Sequence, residues 1–348
     1  MASNTAGAPA GEDSADEVLH EFGIVRVYKS GRVERPLVAP PVAPGLDAAT
    51  GVESRDVQLG PCSVRLYLPP AAAPGARLPV VVYVHGGGFV AESAASPGCH
   101  RFLNRLTAAC PALGVSVEYR LAPEHSLPAA YDDALAALKW TLSAADAWVA
   151  AHGDLGRVFL AGDSAGANIC HYLAVHPDIA DAGQARHGEG GGGEPRAPRR
   201  RLKGAVLIHP WFWGSEAVGG EPRHPTARAM GARLWLFACP GADGGMDDPR
   251  MNPMAPGAPA LDTMACERVM VCAAEHDFLR WRGRAYAEAV AAARGVEGEG
   301  SVELLETEGE GHVFYFAKPY GDKAKAMLDR IVSFVNAPGC ASYCYYSS

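Results

Sequence analysis

The chain has 348 residues, of which 48% are hydrophobic and 20% are charged. This composition excludes a disordered or fibrous protein, and the length allows about two domains or one large α/β unit. The formal net charge of −8 argues against binding to nucleic acid or to an anionic membrane. No apolar run approaches the roughly 20 residues that span a bilayer, and residues 1–21 lack the basic start and apolar stretch of a secretory signal.

The nine cysteines are an odd number and show no C-x-x-C spacing. This pattern suits a reducing compartment and argues against both a disulfide framework and a zinc site. We therefore predict a protein of the cytoplasm or nucleus whose cysteines are small core residues. No metal, cofactor or obligate protein partner is predicted.

The chain begins with a predicted flexible tail at 1–17, followed by an alternating run at 24–35 that predicts a hairpin turning at Lys29-Ser30-Gly31. Four prolines in 36–44 exclude a helix or a central strand there. The apolar run 78–84 predicts a strand covered on both faces by helices, as in a parallel sheet. Further strands are predicted at 64–68, 115–119, 157–161, 205–208, 269–273 and 302–305, and helices at 100–109, 128–150, 281–293 and 323–335. Such alternation is typical of a doubly wound α/β fold.

Two stretches interrupt this alternation. Residues 183–203 contain a glycine run followed by five basic residues, Arg196, Arg199, Arg200, Arg201 and Lys203, and we interpret them as a solvated loop, with a docking patch as the alternative. The segment 211–260 is first aromatic and then rich in Gly and Pro, and it lies between two predicted strands. This position predicts an inserted cap. The end of the chain, 339–348, is predicted to be a tail.

The sharpest motif is Gly162-Asp163-Ser164-Ala165-Gly166, a G-x-S-x-G between a predicted strand and a predicted helix at 167–175. Strand, tight turn and helix together form a nucleophile elbow, which holds a serine hydroxyl in the cleft above the sheet. The helix that follows offers free N–H groups and a favourable dipole to an oxyanion. The alternative is a glycine-bounded turn with an idle serine.

A second motif, His85-Gly86-Gly87-Gly88-Phe89, follows the apolar strand directly. Three successive glycines let the backbone approach a ligand and turn its N–H groups inward. We therefore predict that the N–H groups of Gly87, Gly88 and Ala165 form an oxyanion hole. A phosphate cradle is the competing interpretation, but the chain has no Gly-Lys dipeptide and so no P-loop motif.

A nucleophilic serine needs a base, and the base needs an orienting acid. With a nucleophile elbow the order along the chain is Ser, then Asp or Glu, then His. Asp277 and His312 follow Ser164 in this order, each after a predicted strand, whereas His276 and Glu275 are weaker candidates for base and acid. Structural roles are predicted for the other histidines downstream of the serine, which are His171, His176, His187, His209 and His224. Because the motifs span 85–312, residues 18–338 are interpreted as a single domain.

At this point the sequence resembles the plant carboxylesterases of the hormone-sensitive-lipase group of α/β hydrolases. The resemblance extends from about residue 22 to residue 335 and is carried by HGGGF at 85–89, VEYRLAPEHSLPAAYDD at 117–133, GDSAGANI at 162–169, HPWFWG at 209–214, HDFLRWRG at 276–283 and GHVFYF at 311–316. It implies the α/β-hydrolase fold, Ser164 as nucleophile, Asp277 as acid and His312 as base. It also implies that YRLAPE at 119–124 supports the site and that 18–45 forms an N-terminal lid.

We therefore predict a serine carboxylesterase that hydrolyses small to medium apolar esters through an acyl-enzyme, with a small-molecule ester as its only partner. The first alternative is a gibberellin-type hormone receptor, but such receptors look like esterases that have lost the catalytic histidine, which is His312 here. Two others are a lyase like the 2-hydroxyisoflavanone dehydratases and an acyl-transferring enzyme like the tuliposide-converting enzymes. Five aromatic residues are predicted to line the pocket, with core packing as the alternative: Phe89, Trp211, Phe212, Trp213 and Tyr315.

Overall fold

The computed structural model of the protein describes residues 17–70, 75, 77–180, 202–295 and 301–337, together with the backbone of 345–347. The chain divides into two compact units, with the boundary after Ala39. The predicted tail at 1–17 lies outside the described residues except for Glu17. In the part of the chain that the structure describes, no helix is long and apolar enough to cross a membrane.

The first unit is a three-stranded antiparallel sheet of β1 (Val18–Glu21), β2 (Arg26–Tyr28) and β3 (Val33–Glu34). The predicted hairpin corresponds to β2 and β3, which pair around the turn at Lys29-Ser30-Gly31. The strand β1 was not predicted, because its four residues are all exposed and show no alternating pattern. The role of this segment as a lid stays a prediction.

The second unit is built on a nine-stranded sheet among the described residues, in the order β12-β11-β10-β9-β8-β6-β7-β5-β4. All its neighbouring strands are parallel except at β5, which is antiparallel to both of its neighbours. The predicted, mostly parallel sheet is therefore confirmed. The strand bounds are β4 (Glu53–Gln58), β5 (Ser63–Leu68), β6 (Leu78–Val84), β7 (Leu113–Glu118), β8 (Gly153–Asp163), β9 (Leu202–Ile208), β10 (Cys266–Ala274), β11 (Val302–Thr307) and β12 (Tyr345–Ser347).

Helices cover both faces of this sheet, as predicted for a doubly wound fold. Their bounds are α1 (Pro97–Ala109), α2 (Ala129–Leu142), α3 (Ala147–His152), α4 (Ala165–Val175), α5 (Pro177–Ala180), α6 (Pro225–Ala238), α7 (Arg280–Arg294), α8 (Phe314–Ala317) and α9 (Asp322–Asn336). On one face α1 packs against α8 and α9, and on the other α4 packs against α2, with a hydrogen bond linking α4 to α7. The sheet is thus the middle of three layers.

The central strand β6 is buried along its whole length, which explains its almost wholly apolar sequence. Alternate side chains of β6 and β8, such as Val81, Tyr83 and Phe159, join one core cluster with Phe334 of α9. Burying one such side chain contributes about 1.5–3 kcal/mol. The seven cysteines of the described part are also buried, in the core positions predicted for them.

The prediction of a single helix at 128–150 is wrong in one respect, because this range contains two helices, α2 and α3. The chain breaks at Ala144, whose φ of +53° is left-handed and cannot continue a helix. Asp146 then caps α3 by accepting a hydrogen bond from the Trp148 N–H at 2.7 Å. The sequence lacks a glycine or proline at this break, so composition gave no signal for it.

The structure changes two of the predicted loop and tail segments in part. Most of the loop predicted at 183–203 lies outside the described residues, but Lys203 belongs to β9 and forms an ion pair with Glu267. The tail predicted at 339–348 is also not wholly a tail, since β12 pairs in parallel with the edge strand β11. An unpaired strand edge offers N–H and C=O groups to such a segment.

The segment 211–260 lies between β9 and β10, and we refer to it as the cap insertion. It contains α6, which was not predicted, although Pro225 at its first position follows the capping residue His224. Glu221 is fully buried and binds Arg228 of α6 and Arg282 of α7, so it ties the insertion to the sheet-covering helix. Both arginines also donate to backbone carbonyl groups between 214 and 222.

Candidate active site

The turn from β8 to α4 holds Ser164 in a backbone conformation of φ +52° and ψ −116°. A non-glycine residue in this region is strained, which is the mark of a nucleophile elbow. Both flanking glycines are needed for close packing: a Cβ at Gly166 would lie 2.0 Å from the Val84 carbonyl oxygen, and one at Gly162 would lie 2.7 Å from the Gly166 backbone. The G-x-S-x-G pattern therefore follows from contact between this turn and β6.

The structure brings Ser164, His312 and Asp277 together at the carboxyl ends of β8, β11 and β10. His312 Nε2 lies 3.0 Å from Ser164 Oγ, and His312 Nδ1 lies 2.7 Å from Asp277 Oδ2. Because an ionised carboxylate only accepts hydrogen bonds, Nδ1 carries the ring proton, and Nε2 of the neutral ring can accept from the serine hydroxyl. This arrangement can remove a proton from Ser164.

Asp277 is buried, and its carboxylate accepts a second hydrogen bond, from the Leu279 N–H at 2.9 Å. Burial acts to raise the pKa of this carboxyl, but the hydrogen bond and charge of His312, with smaller effects of His209 and the Leu279 N–H, hold the pKa below its ordinary value. Asp277 therefore stays ionised beside His312. The weaker candidates lie elsewhere: Glu275 accepts from the Gly309 N–H, and His276 donates its backbone N–H to Glu310.

The predicted oxyanion-hole residues lie at two adjoining places, the loop after β6 and the first turn of α4. Gly87 and Gly88 have φ values of +101° and +63°, and a Cβ at Gly87 would lie 2.1 Å from the Ala91 carbonyl oxygen. Among the hydrogen bonds between described residues, none uses the N–H groups of Gly87, Gly88 or Ala165. These three donors thus remain available to a ligand.

Asp163, the residue before the serine, supports the glycine loop from below. Its buried carboxylate accepts hydrogen bonds from the Tyr83 hydroxyl and from the Gly86 N–H, the latter at 3.0 Å. Burial raises the pKa of Asp163 to about 6, although the Tyr83 hydroxyl, the charge of His312 and the Gly86 N–H all act to lower it. Asp163 was not singled out from the sequence, and its place inside the elbow motif was the available signal.

Tyr119 supports the same loop from another side, since its hydroxyl donates to the carbonyl oxygens of His85 and Gly86 at 2.9 and 3.1 Å. Its ring stacks on the buried imidazole of His85, with a centroid distance of 4.2 Å. The bulk of the Tyr119 ring and its two hydrogen bonds fix the path of the backbone just before Gly87. The first residue of YRLAPE thus lies beneath the candidate oxyanion hole.

The five aromatic residues predicted to line the pocket are all buried, with at most 5% of any side chain exposed. Phe89 and Trp211 pack against each other, with ring centroids 5.6 Å apart. Phe212 packs against Tyr286 of α7, and Tyr315 packs against Phe102 of α1 and its neighbour Phe316, in the aromatic core. Trp213 packs on Phe278. Their contact with a substrate stays a prediction beside these packing roles.

Two residues near the site were not singled out from the sequence. Phe278 follows Asp277 directly, is 55% exposed and has its ring 6.1 Å from that of His312. Leu234 of α6 lies over the glycine loop, since a Cβ at Gly88 would come within 2.6 Å of its Cδ2 atom. An exposed aromatic residue and an aliphatic residue therefore border the reacting groups. Only the tertiary fold brings Leu234 there, so the sequence offered no signal for it.

A metal ion could be considered at His209, Asp277 and His312, since one ligand atom from each lies within 4.8 Å of the others among the described residues. However, both ring nitrogens of His312 are already hydrogen-bonded, Nδ1 to Asp277 and Nε2 to Ser164. A metal ion bound by His312 would break one of these two bonds. The geometry therefore favours a proton-transfer site at this place.

Three plant enzymes of known sequence are similar to this chain over most of its length. A tuliposide A-converting enzyme 1 of Tulipa gesneriana is 42% identical over 318 residues, covering 89% of this chain and 75% of the relative. A probable carboxylesterase 2 of Arabidopsis thaliana is 38% identical, covering 89% of this chain and 93% of the relative. A 2-hydroxyisoflavanone dehydratase of Glycyrrhiza echinata is 40% identical, covering 90% and 94%.

Among solved structures, an esterase of Pyrobaculum calidifontis superposes with a TM-score of 0.62 at 28% identity, covering 82% of this chain and 84% of the esterase. A family model described as the alpha/beta hydrolase fold matches residues 81–316. This range holds the glycine loop, the elbow, the acid and the base. The chain therefore belongs to the α/β-hydrolase fold family, as the resemblance in its motifs implied.

Proposed function

We propose that this protein is a serine carboxylesterase that acts on small to medium apolar esters through an acyl-enzyme. The observation that carries this proposal is the continuous chain of hydrogen bonds from Ser164 Oγ through His312 to Asp277, with distances of 3.0 and 2.7 Å. A base in contact with the nucleophile and an acid in contact with the base are the requirements of nucleophilic acyl transfer. Relatives named carboxylesterase and esterase support the same reaction.

In the first step, His312 Nε2 takes the proton of Ser164 while Oγ forms a bond to the ester carbonyl carbon. The protonated His312 then gives that proton to the leaving alkoxide as the C–O bond breaks, so that an alcohol departs. Water attacks the acyl-enzyme by the same route and releases the acid and the free serine. Asp277 fixes the ring tautomer of His312 and stabilises its charged form.

The negative oxygen that develops in each step needs hydrogen-bond donors that are already in place. The free N–H groups of Gly87, Gly88 and Ala165 fit this need, and the α4 helix begins at Ala165 with its positive end at Ser164. Tyr119 and Asp163 hold the glycine loop from beneath. Removing one oxyanion donor typically costs about 10²- to 10³-fold in kcat.

The apolar character of the substrate is argued from the residues that border the site. Phe278 is exposed beside His312, and Leu234 lies over Gly88, so that both meet a molecule bound at the serine. Neither can pair with a charged group. An ester with a small aliphatic or aromatic acyl part therefore suits the site better than a charged or strongly polar one.

Two other reactions remain as alternatives because relatives carry their names, the tuliposide-converting enzymes and the 2-hydroxyisoflavanone dehydratase. An acyl transferase would use the same serine, histidine and oxyanion donors and would pass the acyl group to a hydroxyl group instead of to water. A dehydratase forms no acyl-enzyme: a base removes a proton from its substrate, the C–O bond to a neighbouring hydroxyl group breaks, and water leaves. A non-enzymatic hormone receptor is a poorer fit, because His312 is present and bonded to both of its partners.

The test is hydrolysis of p-nitrophenyl acetate, butyrate and octanoate by the unmutated protein and by Ser164→Ala. We expect a loss of about 10⁴- to 10⁶-fold in kcat for the variant. Ser333→Ala, an exposed serine on α9, is the matched control and should keep full activity. A fluorophosphonate should label the unmutated protein at Ser164 only. Equal hydrolysis by the protein and its Ser164→Ala variant would contradict the proposal.

A further inference from the structure

His209 occupies an unusual place at the first position after β9. Its backbone N–H still donates to the Cys272 carbonyl oxygen of β10 at 2.8 Å, so the residue is tied to the sheet. Its φ of +47° is left-handed, and its side chain is only 1% exposed. A buried histidine in a strained conformation needs a reason beyond filling space.

Among the residues that the structure describes, the side chain of His209 makes one hydrogen bond, which joins it to the residue after the candidate base. His209 Nδ1 accepts from the Val313 N–H at 2.9 Å. Val313 is itself left-handed, with φ +46° and ψ +34°. This conformation is costly for a β-branched residue, so an interaction that stabilises it is needed.

The protonation of His209 follows from this contact. A backbone N–H is always a donor, so Nδ1 carries no proton and the ring proton is on Nε2. Burial, with a smaller effect of the charge of His312, lowers the pKa of His209 to about 3, although Asp277 acts to raise it. His209 is therefore neutral near pH 7. Its Nε2 is buried and has no hydrogen-bond partner among the described residues.

The neutral ring lies next to the reacting groups. Its centroid is 5.7 Å from that of His312, and ligand atoms of His209, Asp277 and His312 lie within 4.8 Å of one another. The backbone at His312 is thus fixed on one side by Val313, the strained residue that follows it. The His312 ring must meet two partners at once, Ser164 and Asp277, which leaves little tolerance in its position.

We propose that His209 is a positioning residue, whose Nδ1 holds Val313 in its left-handed conformation and thereby aligns His312 between Ser164 and Asp277. The inference rests on the proposed esterase activity, since His209 itself touches no reacting atom of an ester. It also gives a function to a histidine for which the sequence predicted only a structural role. A packing role alone requires the shape of the ring but not an acceptor at the Nδ1 position.

The test compares two variants that have the same amide group at different distances from the backbone. In His209→Asn an amide oxygen can take the place of Nδ1, whereas in His209→Gln the amide reaches the position of Nε2 and leaves the Val313 N–H without its acceptor. Asn also tolerates a left-handed backbone. We expect His209→Gln to lower kcat about 10- to 100-fold with KM changed less than about twofold, and His209→Asn to recover most of that loss. If His209→Gln does not fold, His209→Ala replaces it in the comparison.

A second change tests the strain at Val313 directly. Glycine adopts a left-handed conformation without cost, so Val313→Gly should restore part of the kcat lost in His209→Gln. All rates are divided by the fraction of protein that a fluorophosphonate labels at Ser164, which corrects for misfolded material. Equal kcat values for the Asn and Gln variants, or no gain from Val313→Gly, would overturn the inference. An unmutated protein that is neither labelled nor active would instead overturn the proposed function.

Discussion

The buried carboxyl of Asp163 makes the stability of the protein depend on pH in an unusual direction. Most aspartates in folded proteins are stabilised as carboxylates, but burial raises the pKa of Asp163 from 3.8 to about 6. Replacing it by Asn keeps an oxygen that can accept from Tyr83 and from the Gly86 N–H. The variant Asp163→Asn removes the ionisation and little else.

The magnitude follows from the two pKa values. In the unfolded chain the group ionises near 3.8, and in the folded protein near 6, so the folded state binds its proton more tightly. The contribution to the free energy of unfolding is therefore fully present below pH 3.8 and is lost as the pH rises through 6. At about 1.36 kcal/mol for each pKa unit, the whole loss is about 3 kcal/mol. Relative to the unmutated protein, Asp163→Asn should gain up to that amount between pH 4 and pH 7.

The assay is urea unfolding followed by tryptophan fluorescence at half-unit intervals from pH 4 to pH 7.5. Taking the difference between variant and unmutated protein at each pH cancels the contributions of titrating groups that do not interact with Asp163. Asp178→Asn is the control: the hydrogen bond from Lys139 lowers the pKa of this exposed carboxyl, so its difference should stay constant above pH 4. A difference for Asp163→Asn that does not change with pH would refute the reasoning that burial dominates at this site.

Three other predictions follow from buried or site-bordering side chains. Burial lowers the pKa of His171 to about 3, so the unfolded chain takes up a proton at this residue below pH 6.5 while the folded protein does not, and the free energy of unfolding falls. Between pH 6.5 and pH 5, urea unfolding should show a decrease that is smaller in His171→Asn than in the unmutated protein by up to about 2 kcal/mol. Glu221→Ala leaves two buried arginines without their carboxylate and should lower the free energy of unfolding by about 3–5 kcal/mol; an unchanged melting temperature contradicts this. Leu234→Ala makes room over the glycine loop and should raise the octanoate-to-acetate ratio of kcat/KM about tenfold, whereas Leu236→Ala, exposed on the same helix, should leave that ratio unchanged.

The parts of the site that were predictable from sequence are those whose local backbone dictates the residue type. Gly162 and Gly166 are required because a side chain at either would collide with backbone atoms, and Gly87 is required for the same reason. Such constraints on the backbone produce short glycine motifs that can be recognised in the sequence. Acid and base could then be found by their order, since each follows a strand whose apolar run is also readable.

The parts that were not predictable depend on contacts between distant segments. The helix α6 was missed because Gly and Pro around it dominate the composition of the cap insertion. The roles of Asp163 and His209 depend on acceptors and donors contributed by Tyr83, Gly86 and Val313, whose proximity no local pattern encodes. The break between α2 and α3 likewise depends on a single left-handed residue, Ala144.

The three residues of the hydrogen-bonded chain are far apart in sequence, which has a consequence for how the protein folds. His312 is 148 residues from Ser164 and 35 from Asp277, so the site closes only after β10 and β11 have joined the sheet beside β9. Contacts of such long sequence separation form slowly, because loop-closure entropy is lost before they stabilise the chain. During refolding, tryptophan fluorescence should therefore report the earlier packing of the core. Esterase activity should return later, when β10 and β11 have joined the sheet.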